Sequence, residues 1–312
     1  MKAGERPAPR GIYAATPCPL TADHGIDEPA LTALTRWLAG VPGIVGFLVN
    51  GHAGENTVMP LDDQRRVAGI MRAAAPDSYL VAGVNAENTA VATVHAARLE
   101  ATGVDALLVF PPNGWALYQE PEMVLAHHCA VIEGTTLPVM LYQASINAGR
   151  MAYPPETLAA LAGMPRVIGV KDGSWEVATY EANLRLLRAC APHVAMFGSG
   201  DEHLLTSYVI GSAGSLVSLA AVAPEAVVAV FAAAGAGDMA AARAAHERLY
   251  PLARAIYRAA PGGRANARLK TCLALTGHFE SDRMIPPVSA TPQEEHDNLR
   301  AALALAGCSH LA

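Results

Sequence analysis

Lysine is scarce in this 312-residue chain: Lys2, Lys171 and Lys270 stand against nineteen arginines. Where positive charge alone was needed the chain uses arginine, so a lysine in an apolar setting asks for its own reason. Charge as a whole is sparse, at 16% of residues with a net of -6, and supplies no field for gathering phosphates. No basic stripe with interleaved aromatics occurs, which excludes nucleic acid as an expected partner. The five cysteines (Cys18, Cys129, Cys190, Cys272, Cys308) form no C-x-x-C pair and no regular framework, as suits free thiols in a reducing cytoplasm. No apolar run reaches membrane-spanning length without a charge, Gly or Pro. The opening MKAGERPAPR has no apolar core of a secretion signal. A soluble cytoplasmic protein is therefore expected.

Motifs for the common cofactors are missing as well. The adjacent His127 and His128 would face different parts of one helix, and no H-E-x-x-H accompanies them, so no metal is expected. No G-x-G-x-x-G opens a helix, and GSGDEH and GSAGS lack the nucleophile elbow of serine hydrolases.

What the chain has is apolar residues, 52% of the total, arranged with a period. Eight short apolar runs begin at Gly11, Ile44, Tyr79, Asp105, Pro138, Arg166, His193 and Gly214. Most are apolar throughout, the pattern of strands covered on both faces. Between them lie helical segments, with starts expected at Glu28, Asp62, Glu87, Pro121, Pro155, Trp175, Asp201 and Pro224. Eight such units in succession predict a (β/α)8 barrel over residues 1–235, an α/β TIM fold. After FAAAGAGD the strand signals stop, and three helical stretches predict a C-terminal helical appendage over residues 236–312.

In a barrel of this kind the reactive groups come from the C-terminal ends of strands. Lys171 stands at that end of the sixth strand, in VIGVKDGS. Desolvation lowers an amine's pKa and turns it into a nucleophile toward ketones, with a Schiff base as product. An alternative stays open at this point: a rim lysine whose ammonium pairs with Asp172 or a neighbouring carboxylate. Lys2 falls in a terminus and Lys270 in an amphipathic helical stretch, which leaves Lys171 as the one amine expected to be desolvated. Tyr142 ends the fifth strand and should reach the same mouth, where a phenol can move protons, or else be an ordinary rim tyrosine. The glycines of NGHAGEN, at 51 and 54, allow a tight turn whose N–H groups suit a carboxylate, although such turns are often only turns.

These segments together resemble the dihydrodipicolinate synthase and N-acetylneuraminate lyase family of Schiff-base aldolases. TPCPL from Thr16 is similar to the family's T-P-F segment, GHAGE from Gly51 to its G-[TS]-T-G-E loop, and YQASINAG from Tyr142 to its Y-N-x-P-x-x-T-G segment. VIGVKDGS, GSGDE from Gly198 and RMIPPV from Arg283 extend the likeness over almost the whole chain. The resemblance implies a (β/α)8 barrel, a homotetramer or homodimer, and no cofactor. It implies a Schiff base between Lys171 and pyruvate or another 2-oxo acid, with Tyr142 transferring protons. Gly51, His52, Ala53, Gly54, Asn113 and the main chain at Leu216 would then bind substrate.

The departures bear on activity. His52 and Ala53 replace the family's two hydroxyl residues, and His52 is expected to contact substrate as donor or acceptor. The synthases' proton-relay tyrosine, given across a subunit interface, falls near FPPNGW, where this chain has Pro112 and Asn113. Asn147 stands where the synthases place an arginine for aspartate semialdehyde. Trp115 and Tyr118 are candidates for an aromatic wall, or else for packing in the core or at an interface. The expectation is a lyase joining or cleaving a 2-oxo acid and a less polar or aromatic aldehyde, distinct from the synthase itself. A hydro-lyase using the same imine and a silent 2-oxo acid binder are the rivals.

Overall fold

The computed structural model describes residues 10–308; Lys2 and most of the opening decapeptide lie outside the described residues. The eight apolar runs are strands: β1 (Gly11–Ala15), β2 (Ile44–Val49), β3 (Tyr79–Val84), β4 (Ala106–Val109), β5 (Val139–Gln143), β6 (Val167–Asp172), β7 (Ala195–Gly198) and β8 (Gly214–Val217). They hydrogen-bond in parallel in chain order, and β8 returns to β1 to close the barrel. Each is followed by a helix: α1 (Glu28–Ala39), α2 (Leu61–Ala74), α3 (Thr89–Glu100), α4 (Pro121–Glu133), α5 (Pro155–Ala162), α6 (Val177–Cys190), α7 (Leu204–Ile210) and α8 (Pro224–Gly235). Three further helices complete the described chain, α9 (Met239–Tyr257), α10 (Ala265–Leu275) and α11 (Gln293–Leu305). Among the described residues no helix is long and apolar enough to cross a membrane.

Where helix starts differ from the sequence reading, side-chain caps decide. α3 begins at Thr89, two residues after Glu87, because the Asn88 side chain accepts from the Val91 N–H at 3.2 Å. α6 begins at Val177, beyond Trp175, because the Glu176 carboxylate accepts from the N–H groups of Ala178 and Thr179. Residues Asp201–His203 form a 3-10 turn ahead of α7.

The barrel separates two apolar layers. Inward side chains fill its interior around Tyr13, whose ring meets Tyr79 and Phe197 edge-on at 6.1 and 5.7 Å. Outward side chains such as Phe47, Val49 and Val170 pack under the helices. Successive strand residues point to opposite faces, so the uniform hydrophobicity of the runs follows from burial on both sides.

Candidate active site

That alternation settles the fate of Lys171 and Asp172. The β5–β6 register sets Tyr142 opposite Lys171 and Gln143 opposite Asp172. Lys171 and Tyr142 face the barrel interior, where the amine lies 5.7 Å from the centre of the phenol ring. Asp172 faces outward and is held by the Asn183 side chain on α6 at 2.8 Å and by the Ser174 N–H at 2.8 Å. The Lys171–Asp172 pairing left open above is thereby excluded.

Lys171 is 7% exposed, and burial pulls its pKa down to about 8. The charge of Asp201, beyond ion-pair distance, opposes that fall. Burial likewise pushes Asp201 up to about 7, against the pull of the Leu219 N–H, the Tyr257 hydroxyl and Lys171. Tyr142 is held well above the usual phenol range by burial and then by the Asp172 charge, so it remains a proton donor at neutral pH.

The turn after β2 closes one side. His52–Gly54 is a single 3-10 turn in which the Gly54 N–H donates to Gly51 O and the Glu55 N–H to His52 O, each at 3.0 Å. The Gly54 donor expected for a carboxylate is therefore spent within the turn. The Ala53 N–H has no such partner among the described residues. The His52 ring packs against Phe110 at 4.7 Å and Tyr142 at 5.2 Å. Burial, and then the Lys171 charge, pulls its pKa down to about 4, so the imidazole is neutral where a free histidine would be partly charged.

Lys171, Tyr142, His52, Ala53 and Leu216 all border one cavity of ≈160 Å³ at the C-terminal mouth of the barrel. A family model described as the dihydrodipicolinate synthetase family matches residues 8–306. The chain belongs to that family. It is 33% identical over 302 residues to the 4-hydroxy-tetrahydrodipicolinate synthase of Kineococcus radiotolerans, covering 95% of this chain and 92% of the relative. It is 29% identical to the synthase of Acidothermus cellulolyticus over 100% of this chain and 97% of that one. Among solved structures, a prophage protein of the dihydrodipicolinic acid synthase family from E. coli K12, in complex with pyruvate, superposes with a TM-score of 0.86 at 22% identity, covering 96% and 99% of the two chains. A monomeric dihydrodipicolinate synthase variant gives the same TM-score at 21% identity, covering 96% and 97%. Membership carries the class I aldolase type of lyase with it; the substrates are a separate matter.

Other residues singled out from the sequence lie elsewhere in this family member. Asn113 is exposed, its backbone N–H bound to Glu87 at 2.8 Å, and Asn147 is exposed on the loop after β5. Neither borders the cavity. Trp115 is buried against His127 and His128, and Tyr118 is 55% exposed, so the expected aromatic wall is not theirs. The wall is built instead by Trp175 and Tyr257, whose rings lie 5.4 Å apart across the cavity rim. Trp175 has φ of 57°, the left-handed region that bulky residues avoid, in the loop directly after Lys171. Arg258 lies 5.7 Å from the Trp175 ring and ion-pairs with Glu202.

Sequence reading also missed Asp201, Ser218 and Asn266. The Tyr257 hydroxyl donates to Asp201 Oδ1 at 3.0 Å and lies 2.7 Å from Ser218 Oγ. Asn266 donates to His52 O at 2.7 Å. Tyr257 and Asn266 belong to the helices after the barrel, so the region read as an appendage supplies part of the cavity. A further correction concerns Lys270, which is fully buried although its helix looked amphipathic. It forms an ion pair with Glu55 and donates to Arg283 O at 2.7 Å, whereas Lys171 has no ion-pair partner among the described residues.

Proposed function

We propose that this protein is a Schiff-base-forming lyase acting between a 2-oxo acid, pyruvate in the first instance, and an aldehyde. The observation that carries the reading is Lys171: an amine brought down to about 8 by burial, inside a cavity, opposite a phenol that stays protonated. Its lone pair attacks the ketone carbon. Tyr142 donates to the oxygen, water leaves, and the iminium draws electrons from C3. In the cleavage direction the C3–C4 bond breaks as the C4 hydroxyl loses its proton, releasing the aldehyde and leaving an enamine. Protonation at C3 and hydrolysis then return the 2-oxo acid and the free amine. Condensation runs the same steps in reverse. No cofactor enters these steps.

The 2-oxo acid's carboxylate is assigned to the 51–54 turn through the Ala53 N–H, with neutral His52 and the main chain at Leu216 bordering the bound molecule. Support for a less polar or aromatic aldehyde comes from the cavity's lining, in which no arginine occurs among the described residues and Trp175 and Tyr257 form a wall. A second acidic substrate group would meet Asp201 there instead of a cation. This sets the proposed activity apart from that named for the curated relatives.

A hydro-lyase reading draws on Asp201, whose carboxyl near 7 can protonate a leaving hydroxyl. A silent binder is disfavoured, because passive binding needs no desolvated amine. Assembly as a homodimer or homotetramer is supported by apolar side chains exposed on the rim, Leu117 at 88% and Ile146 at 46%. Work in a reducing cytoplasm accords with five unpaired cysteines.

The test is cyanoborohydride reduction in the presence of pyruvate, followed by peptide mass analysis. A stable adduct on Lys171 is expected. Its absence with pyruvate and with a panel of other 2-oxo acids sinks the reading. Assaying released pyruvate against lost water, with 4-hydroxy-2-oxo acids as substrates, then separates lyase from hydro-lyase.

A further inference from the structure

The turn that borders the cavity is too short to hold itself. One 3-10 turn closes two weak hydrogen bonds, and it is flanked by Asn50 at φ 55° and Glu55 at φ 56°, both in the left-handed region without being glycine. Such geometry persists only where surrounding contacts over-determine it. Asn50 is held locally, its side chain donating to Gln64 O at 2.8 Å, but the His52 carbonyl and the Glu55 carboxylate are gripped from more than two hundred residues away in the chain, on α10. Asn266 and Lys270 are spaced i, i+4 and therefore share one face of that helix. Asn266 grips the front of the turn at His52 O, 2.7 Å away. Lys270 grips its back through the Glu55 carboxylate, whose other oxygen accepts from the Ile285 N–H at 2.8 Å. The pair is sealed, with Glu55 at 3% and Lys270 at 0% exposure. A buried ion pair adds little net stability over an apolar pair of the same shape, and its best-attested use is to specify one arrangement.

We infer that the Glu55–Lys270 pair is a positioning device for the substrate carboxylate: with Asn266, it holds the turn carrying the Ala53 N–H in fixed relation to Lys171. The inference rests on the assignment of the 2-oxo acid's carboxylate to that turn. Neither residue touches substrate. Lys270 acts through Glu55, and Glu55 acts through the backbone of the turn, so the C-terminal helices set affinity for the acid group while the barrel supplies the reacting amine.

The experiment compares cyanoborohydride trapping of pyruvate with that of acetone, a ketone of similar size that lacks the carboxylate. Wild type is set beside the double variant Glu55→Gln/Lys270→Met, which removes both charges and strands neither. The half-saturating pyruvate concentration is expected to rise about tenfold, with the Lys171 adduct still formed at saturation. Acetone trapping should change less than about twofold, because the amine itself is untouched. Equal losses with both ketones, or an unchanged pyruvate half-saturation in a variant with wild-type circular dichroism, overturn the inference. Should the double variant not fold, Asn266→Ala carries the test through the other grip, with a selective loss of pyruvate trapping expected and none overturning it. If wild type forms no Lys171 adduct with any 2-oxo acid, the Schiff-base reading itself fails and takes this inference with it. A wild-type adduct with no selective loss in the variants sinks this inference alone.

Discussion

Tyr142 and Lys171 stand opposite each other across the β5–β6 ladder, with the amine 5.7 Å from the ring centre. Parallel pairing one rung from the strand ends places both at the cavity without any help from loops. Two strands thus define the proposed reacting pair, and the loops of a barrel are left to select substrates.

The pH dependence of adduct formation follows from the burial of Lys171 and the opposing charge of Asp201. Lys171 near 8 is mostly ammonium at neutral pH, so the trapping rate should climb with pH and level off above about 8. Asp201→Asn removes a negative charge that favours the ammonium, so the midpoint should move down. Trapping with pyruvate from pH 6 to 9 in both proteins reads this directly. A wild-type midpoint near that of free lysine, or an upward move in the variant, contradicts the assignment.

Tyr142→Phe deletes the donor and keeps the ring, which packs on Phe110 at 4.8 Å. Turnover should fall about a hundredfold, the range for loss of one positioned proton-transfer group. The thermal midpoint should move little. Near-normal turnover would assign proton transfer to another group.

Gly173 follows the lysine strand, and a Cβ there would lie 2.6 Å from the Tyr142 hydroxyl and 3.2 Å from Gln143 O. The backbone oxygen cannot yield, so Gly173→Ala must displace the phenol. Overpacking of this kind costs about 1–3 kcal/mol of stability. Turnover should drop far more than the modest fall in melting temperature suggests, because a misplaced donor is ineffective. Unaltered turnover would mean that the hydroxyl's position is unimportant.

Arg72 provides a contrast at the opposite end of the barrel. It binds Asp105 Oδ2 at 2.5 Å and the carbonyls of Pro76, Ser78 and Gly103 at 2.8 to 2.9 Å, tying α2 to the starts of β3 and β4. Arg72→Ala strands the largely buried Asp105 and should destabilise the fold by about 3 kcal/mol. Denaturant melts should show that loss while trapping at Lys171 keeps its pyruvate half-saturation. Loss of trapping in the folded variant would show that the two ends of the barrel are coupled.

Much of this was legible before any coordinates, because it depends on local periodicity. Each strand core falls within its apolar run, and strand-end position offers Lys171 and Tyr142 as candidates at one mouth, to which the family resemblance adds their roles. Two helices start two residues later than the periodicity places them, because an Asn88 or Glu176 cap decides the first turn. Trp115 and Tyr118 were weighed for an aromatic wall because they follow a strand, yet the 3-10 turn at Asn113–Ala116 sends one into the core and leaves the other outside.

The sequence by itself determined the barrel, since a run of eight apolar segments and intervening amphipathic helices has few other ways to bury its surfaces. It also determined which two side chains meet, since strand direction and pairing order follow from the chain. Tertiary structure alone decided the environment on which their proposed reactivity rests. The Asp201 charge, the Trp175 and Tyr257 wall and the grip of α10 on the turn join residues far apart in the chain, and no local pattern records such contacts. Lys270 is the clearest instance, because an amphipathic spacing shows that a helix has a buried face but not that a carboxylate from the turn after β2 waits there to pair with its amine.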